Sequence, residues 1–337
     1  MRFPGSDPLT AALAMRADLP RRLFGATELE RIHAVADLDE DLTIGDFRQA
    51  DPRLLAAVDV LITGWGCPRI GAAELAAMPR LRAVVHAAGT VKDHVSPDVW
   101  SRGIIVTTAA DANAQPVAEY TLAAILLAGK GVPELARSYA ADPGCSAASR
   151  TDIGNYRRTV GIVGASRVGR LVVELLGSFD FTVLLYDPSL ADDDPVLARA
   201  TRVSLDELFR RSSIVSVHAP LLPETTGLVS SRQFDLMRPG SVLINTARGA
   251  IVDHDALVRA VRAKGVRAIL DVTAPEPLPA GHPLRGLPGV ILTPHVAGSL
   301  GNELGRLGES AVCELELLAA GRPPRSPVRW ESIATMA

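Results

Sequence analysis

Short apolar runs recur along most of this chain, separated by amphipathic stretches and by clusters of Gly, Pro, Asp and Ser. Between residues 31 and 108 such runs fall at Ile32–Val35, Val58–Thr63, Leu81–His86 and Ile104–Thr107. Runs of this length, bounded by turn residues, predict buried strands. Glu74–Met78 and Pro97–Arg102 read as helical turns between them, so the segment predicts parallel βα units. The first thirty residues carry little pattern, and partly irregular structure is expected there. From Pro116 to about Lys130 the pattern changes to one long apolar helix, with proline at an early helical position. A loop rich in Ala, Ser, Pro and Gly follows over 142–149.

A second and stronger series then begins. Strands are expected at Thr159–Gly164, Thr182–Asp187, Ala200–Val203, Ile214–His218, Ser241–Thr246, Val266–Asp271 and Val290–Thr293. Helical segments lie between most of them, and a last helix is expected over 301–320. The alternation predicts an α/β protein built from doubly wound parallel sheets.

Composition narrows the class. The chain has 337 residues, of which 47% are hydrophobic and 22% charged, and its net charge is −3. That is enough for two domains with packed cores. Without a basic stripe or acidic tail, nucleic acid is not an expected partner. The apolar stretch around 122–128 is too short to span a bilayer, so no membrane association is expected. Cys67, Cys145 and Cys313 are far apart, matching neither a zinc site nor a disulfide framework, and a reducing cytoplasm is expected. No pairing among His33, His94, His218, His254 and His282 suggests a metal site.

The strongest local motif is Val160-Gly161-Ile162-Val163-Gly164-Ala165-Ser166-Arg167-Val168-Gly169. An apolar strand runs into an amphipathic helix there. Gly164 permits the tight turn, and Gly169 permits close approach of helix and strand. The free N–H groups of the helix start, including those of Arg167 and Val168, then face a dinucleotide pyrophosphate. Ser166 stands where the G-x-G-x-x-G pattern has its middle glycine; its hydroxyl can hydrogen-bond a phosphate oxygen. The following strand ends in Asp187, placed to bind the adenosine ribose hydroxyls and to repel a 2′-phosphate. NAD rather than NADP is the cofactor expected. A strand-end acid can also simply cap a turn.

Further segments carry a family resemblance. They are Asn113-Ala114-Gln115-Pro116-Val117-Ala118-Glu119, Val217-His218-Ala219-Pro220-Leu221-Leu222-Pro223-Glu224-Thr225-Thr226-Gly227, Leu243-Ile244-Asn245-Thr246-Ala247-Arg248-Gly249, Leu270-Asp271-Val272-Thr273-Ala274-Pro275-Glu276-Pro277 and Thr293-Pro294-His295. With the glycine loop, and in this order and spacing, they resemble the D-isomer-specific 2-hydroxyacid dehydrogenases. The resemblance implies two Rossmann-like or flavodoxin-like domains. A cofactor domain, residues 116–300, is inserted into a discontinuous substrate domain built from 1–115 and 301–337, with the active site in the cleft. It also implies a homodimer paired through the cofactor domain.

The activity implied is hydride transfer between nicotinamide and C2 of a 2-oxo or 2-hydroxy acid. Arg248 resembles the guanidinium that holds the carboxylate and faces the ketone. His295 resembles the general acid–base, since imidazole both gives and takes a proton near neutrality. Glu276 resembles its paired carboxylate, which favours imidazolium and orients the ring. Formate-oxidising relatives carry an amide instead, so formate is not the expected substrate. Asp271 resembles the aspartate that contacts nicotinamide, although a turn cap is the other reading. Ala219, Pro220, Thr246 and Ala247 fall at cofactor-lining positions.

The run Val85-His86-Ala87-Ala88-Gly89-Thr90-Val91-Lys92 resembles the loop whose backbone grips the substrate carboxylate, through Ala88, Gly89 and Thr90. Thr90 also reaches the nicotinamide end. Val91 replaces the loop's usual second glycine. No basic residue precedes the turn, which argues against a phosphorylated substrate. His86, Lys92 and Trp65 are candidates to enter the pocket, with packing or exposure as their alternatives. Two rival functions share the cofactor domain: a dinucleotide-sensing scaffold like the corepressor branch of the family, and an NAD-linked amino-acid or amine dehydrogenase.

Overall fold

In the computed structural model, residues 8–142, 144–147 and 150–335 are described. Part of the loop expected over 142–149, namely residues 143, 148 and 149, lies outside them, as do the first seven and the last two residues. The chain forms two compact units, one from residues up to 114 and from 299 onward, the other from 115–298.

The first unit carries β1 (Leu9–Ala14), β2 (Ala36–Thr43), β3 (Val60–Thr63), β4 (Ala83–His86) and β5 (Ile105–Thr108) in the order β2-β1-β3-β4-β5, all parallel. This is the flavodoxin-like order. Alternate residues face opposite cores. Leu13, Val60, Ile62 and Val85 join one cluster, while Ala12, Leu61, Val84 and Val106 join the other. A sheet covered on both faces needs apolar residues at successive positions, and the runs in β3 and β4 are of this kind.

The opening of the chain differs from its expected irregularity, since β1 and two helices, Pro20–Leu23 and Ala26–His33, lie there. The strand expected at Ile32–Val35 is also corrected. Ile32 and His33 end a helix, and β2 begins at Ala36. Ile32 is fully buried on the sheet face from that helix, so its hydrophobicity served helix packing. The last helix, Leu304–Ala319, covers the same face. Its buried Glu314 accepts hydrogen bonds from the backbone N–H groups of Arg325 and Ser326, which leads the closing segment alongside β5.

The long helix starts at Ala110, six residues before Pro116. Proline therefore sits inside the helix rather than at its start, and having no N–H it offers no bond to the carbonyl one turn earlier. The boundary between the two units falls at 114/115, beside this interruption.

The second unit carries β6 (Thr159–Val163), β7 (Thr182–Tyr186), β8 (Thr201–Arg202), β9 (Ile214–Val217), β10 (Val242–Asn245), β11 (Arg267–Leu270) and β12 (Val290–Leu292). Their order is β12-β11-β10-β9-β6-β7-β8, all parallel. The winding reverses between β6 and β9, which makes their carboxyl ends the switch point where ligands bind in such sheets. Both faces are again covered. Val163, Val217, Leu243 and Leu270 pack on one side, and Val160, Ile162, Ile244 and Ile269 on the other.

Candidate functional site

Register brings the candidate residues of the second unit to one edge. Tyr186 pairs with Val163, Val163 with Val217, Val217 with Asn245, Asn245 with Leu270, and Leu270 with Leu292. These six residues form a level row at or next to the strand ends. Asp187, Gly164, Thr246, Arg248, Asp271, Glu276 and His295 all follow within a few residues of it.

The glycine turn is sterically defined. Gly164 has φ +99°, and a Cβ there would lie 2.6 Å from the Ala219 backbone nitrogen. At Gly169 a Cβ would lie 2.1 Å from the Gly164 carbonyl oxygen. Both glycines are therefore required by close backbone approach. Ser166 is different. Its φ of −65° suits any residue, and its Oγ caps helix Arg167–Leu176 by accepting from Gly169 N. A hydroxyl that accepts this bond still has its proton to donate. Arg167 is exposed and Val168 half-buried at the helix start.

Asp187 is half-buried and braces the turn. Its Oδ2 accepts from Ala165 N at 2.7 Å, and its Oδ1 from the Ser189 N–H and hydroxyl at 2.8 and 2.6 Å. A carboxylate has about four lone-pair sites, so one remains on Oδ2. His218 is buried and bonded to Ser216 Oγ, and burial holds its pKa down at about 3. Ala219 is buried against Gly164, while Pro220 is half-buried.

His295 Nδ1–H donates to Glu276 Oε1 at 2.7 Å. His295 lies in the left-handed region at φ +56°, unusual for a residue with a Cβ. Asp271 holds it there. Its backbone carbonyl accepts from His295 N, its Oδ1 from Thr293 Oγ1 and Val296 N, and its Oδ2 from Ala297 N. Asp271, 2% exposed, thus organises the loop that carries the imidazole. Tyr120 extends the chain of bonds through Thr293 Oγ1, and burial raises the pKa of its phenol.

Arg248 follows β10 on the neighbouring strand and is half-buried. Asn245, fully buried, clamps the turn: its amide donates to the Arg248 carbonyl and its oxygen accepts from Ala247 N. Arg248 Nη1 donates to the Ala247 carbonyl at 2.7 Å. Thr246 and Ala247 are both 8% exposed, and Thr246 Oγ1 bonds Thr121 Oγ1. Gly249 lets this turn meet the Glu276 loop, since a Cβ there would lie 2.0 Å from the Thr273 carbonyl carbon.

The first unit presents Ala88, Gly89 and Thr90 just after β4, on its own carboxyl edge. Ala88 is fully buried, and Thr108 Oγ1 donates to the carbonyls of Ala88 and Gly89 at 2.9 and 2.6 Å. Gly89 has no steric need to be glycine, because a Cβ would meet only Asn113 Nδ2 at an ordinary 3.5 Å. Val91 is fully buried in the core, so it does not crowd the loop's outer side. His86 is buried against Thr63 Oγ1 and beside the His94 ring, and burial keeps its pKa well below the usual histidine value. Lys92 is half-buried, and Trp65 is 37% exposed after β3.

Sequence reasoning did not single out Asn245, Gly249, Thr293, Tyr120 or His254, each of which holds a loop of the site. Asn245 and Gly249 stood in the string around Arg248 and Thr293 in the string ending at His295, which was the available signal. Tyr120 and His254 act through contacts distant in sequence.

Comparison with known proteins bears on the family and the fold. Residues 122–297 match the family model for the NAD-binding domain of D-isomer specific 2-hydroxyacid dehydrogenases. The chain is 36% identical over 275 residues to a D-3-phosphoglycerate dehydrogenase of Mycobacterium leprae, covering 80% of this chain and 51% of that protein. It thus spans about half the length of that relative. It is 34% identical over 269 residues to a glyoxylate reductase of Thermofilum pendens, covering 78% of this chain and 79% of that protein. The crystal structure of a phosphoglycerate oxidoreductase from Rhizobium etli shares the fold, with TM-score 0.82 at 24% identity, over 97% of this chain and all of that one.

Proposed function

Since the chain belongs to the D-isomer-specific 2-hydroxyacid dehydrogenase family, we propose that it is an NAD(H)-dependent oxidoreductase interconverting a 2-oxo acid and a D-2-hydroxy acid. The hydrogen-bonded His295–Glu276 pair, at the same sheet edge as Arg248 and the glycine turn, carries this reading. We infer that unit 115–298 is the cofactor domain, and the loop after β4 in the other unit is by itself read as a carboxylate-binding loop.

The steep turn at Gly164 and the capped helix start at Ser166 suit a dinucleotide pyrophosphate. The remaining lone pair of Asp187 suits a ribose hydroxyl, and its charge disfavours a 2′-phosphate. The bound nicotinamide would supply or accept the hydride. Arg248 binds the substrate carboxylate and polarises the C2 oxygen. His295, oriented through Nδ1 by Glu276, delivers a proton from Nε2 to that oxygen in reduction and removes it in oxidation. Asp271 holds the His295 loop and has one lone pair on Oδ2 for the carboxamide. Gly89, glycine without a steric reason in its own unit, allows close approach of the substrate carboxylate, with Ala88 and Thr90 beside it.

A small unphosphorylated acid is the proposed substrate. Ala87 and Ala88 are fully buried, and His86 is buried and neutral, so the start of the loop offers no cation to a phosphate. The comparisons give no support to the dinucleotide-sensing scaffold.

A homodimer is proposed on a separate observation. Helix Val132–Ala141 has no buried residue, yet Val132, Leu135, Ala136 and Tyr139 form one apolar stripe along it. Tyr139 is 61% exposed, which fits a face covered by a second copy. Sedimentation of the wild type against Tyr139→Glu tests this. The free thiols Cys67, Cys145 and Cys313 fit a cytoplasmic protein.

Loss of NADH absorbance with a panel of 2-oxo acids tests the activity, with glyoxylate and a phosphorylated 2-oxo acid as two arms. Turnover of small unphosphorylated acids is expected. Tight NADH binding without turnover of any acid would overturn the assignment, and turnover only with ammonia present would move it to amine chemistry.

A further inference from the structure

Glu276 sits on an exposed loop, yet its carboxylate must meet His295 within hydrogen-bond distance. Residues 274–277 are all exposed, and only Val272 and Leu278 at the loop's ends are buried. Such a segment has little apolar packing to hold it. Three polar contacts act instead. Thr273 N donates to Glu276 Oε2, Thr273 Oγ1 donates to the Pro275 carbonyl, and the Ala274 carbonyl bonds His254. The first two are local to the loop. The third ties it to the rest of the unit.

His254 is the first residue of helix His254–Lys264, whose start is capped by Asp253. It is only 7% exposed, and its Nδ1 lies 3.1 Å from the Ala274 oxygen. A carbonyl accepts only, so Nδ1 carries the proton and donates. Nε2 is then the bare nitrogen, and it is buried with no hydrogen-bond partner. The His282 ring stands edge-on at 6.1 Å, with its own Nδ1 accepting from Leu284 N. A buried imidazole with one satisfied and one unsatisfied nitrogen is costly for simple packing.

We propose that His254 is a positioning residue for the acid–base pair: its Nδ1–H fixes the Ala274 carbonyl, and with it the turn from which Glu276 reaches His295. This rests on the dehydrogenase reading of His295 and Glu276. It assigns His254 no contact with substrate or cofactor. Burial lowers the pKa of His254, with His282 adding to the effect, while Asp253, Asp255 and the Ala274 carbonyl oppose it. The neutral donor form is thereby kept at the pH where the enzyme would work.

The test compares His254→Leu, which keeps apolar bulk and removes the donor, with His254→Asn, whose amide can still donate. His254→Leu is expected to lower kcat about tenfold and leave KM for NADH within twofold. The His295 Nδ1–H proton resonance, which reports the bond to Glu276 Oε1, should weaken, because the carboxylate is no longer aligned to accept it. His254→Asn should restore most of kcat and that resonance. The resonance reads the displacement without turnover. If His254→Leu keeps the wild-type kcat and His295 resonance while Glu276→Gln is impaired, the positioning role is overturned and the dehydrogenase reading stands. If Glu276→Gln and His295→Ala are both fully active, that reading itself has failed. Should His254→Leu not fold, His254→Met, which likewise lacks the donor, takes its place: a weakened His295 Nδ1–H resonance supports the role, and a wild-type resonance overturns it.

Discussion

His295 Nδ1 and Glu276 Oε1 stand 2.7 Å apart although 19 residues separate them in sequence. The side chains are 52% and 41% exposed, so the pair adds little to stability. Its arrangement has another consequence: the ring is oriented so that Nε2, the nitrogen away from Glu276, remains for proton exchange. Removing either partner should therefore cost activity and not folding.

His295→Ala is expected to lower kcat at least about a hundredfold, the usual scale of general acid–base catalysis, with melting temperature nearly unchanged. Glu276→Gln keeps an acceptor for Nδ1–H and removes the charge, so a smaller loss is expected. Steady-state rates beside thermal melts check both. Near-normal turnover of His295→Ala would exclude this histidine from the mechanism.

Asp187 already accepts three hydrogen bonds from its own chain and still presents a carboxylate at the end of β7. A hydrogen bond to a charged group contributes about 1.5–3 kcal/mol, or roughly ten- to a hundredfold in affinity. Asp187→Asn should weaken NADH binding on that scale and tighten NADPH binding, as repulsion of the 2′-phosphate is removed. Titrating both cofactors by fluorescence decides the point. Equal preference in the wild type would remove Asp187 as the discriminating group.

Ser166 can be separated into cap and ligand. Its hydroxyl accepts from Gly169 N at 3.3 Å. Ser166→Ala should cost about 1 kcal/mol of stability through the lost cap, and Ser166→Gly only a few tenths. If the hydroxyl also donates to a phosphate oxygen, Ser166→Ala weakens NADH binding beyond what its stability loss explains. Calorimetric NADH titration of the two variants measures this. Unchanged affinity in Ser166→Ala would leave the residue as a cap alone.

Much of this was legible before any coordinates, and for physical reasons. Strands β3, β4, β6, β7 and β9 to β11 are largely buried on both faces, so their sequences are short and mostly apolar runs. The edge strand β2 escaped because Asp37, Asp39, Glu40 and Asp41 face solvent, while β1, Leu9–Ala14, is rich in alanine and carries no strand signature. Ile32–Val35 misled because one buried isoleucine on a helix resembles the start of a strand. Gly164, Gly169 and Asp187 were readable because they fall at fixed spacing in one strand–turn–helix–strand motif, even though Gly164 meets Ala219 and Asp187 meets Ala165 over longer separations. Gly249 against Thr273 and His254 on Ala274 were not, since each contact joins segments 20 or more residues apart outside that motif. The pairing of Glu276 with His295 came from family likeness; no spacing rule gives it.

Acid sensitivity is the remaining expectation, and its sign follows from buried neutral histidines. Burial lowers the pKa of His218 to about 3 and of His94 to about 4, and it also depresses His86 and His254. Unfolded, each titrates near 6.5. Above that pH neither state binds the proton and these groups leave stability unchanged. As pH falls below it, the unfolded chain takes up protons that the folded chain refuses, and stability drops until each folded-state pKa is reached. Each fully shifted histidine steepens the loss by up to about 1.4 kcal/mol per pH unit. Urea unfolding should therefore be flat from pH 8 to 7 and weaken progressively from about 6.5 towards 4. His218→Asn should make that slope shallower by the share of this one histidine, leaving the shares of His254, His86 and His94. Stability that holds constant down to pH 5 would show that these imidazoles are not kept neutral by burial.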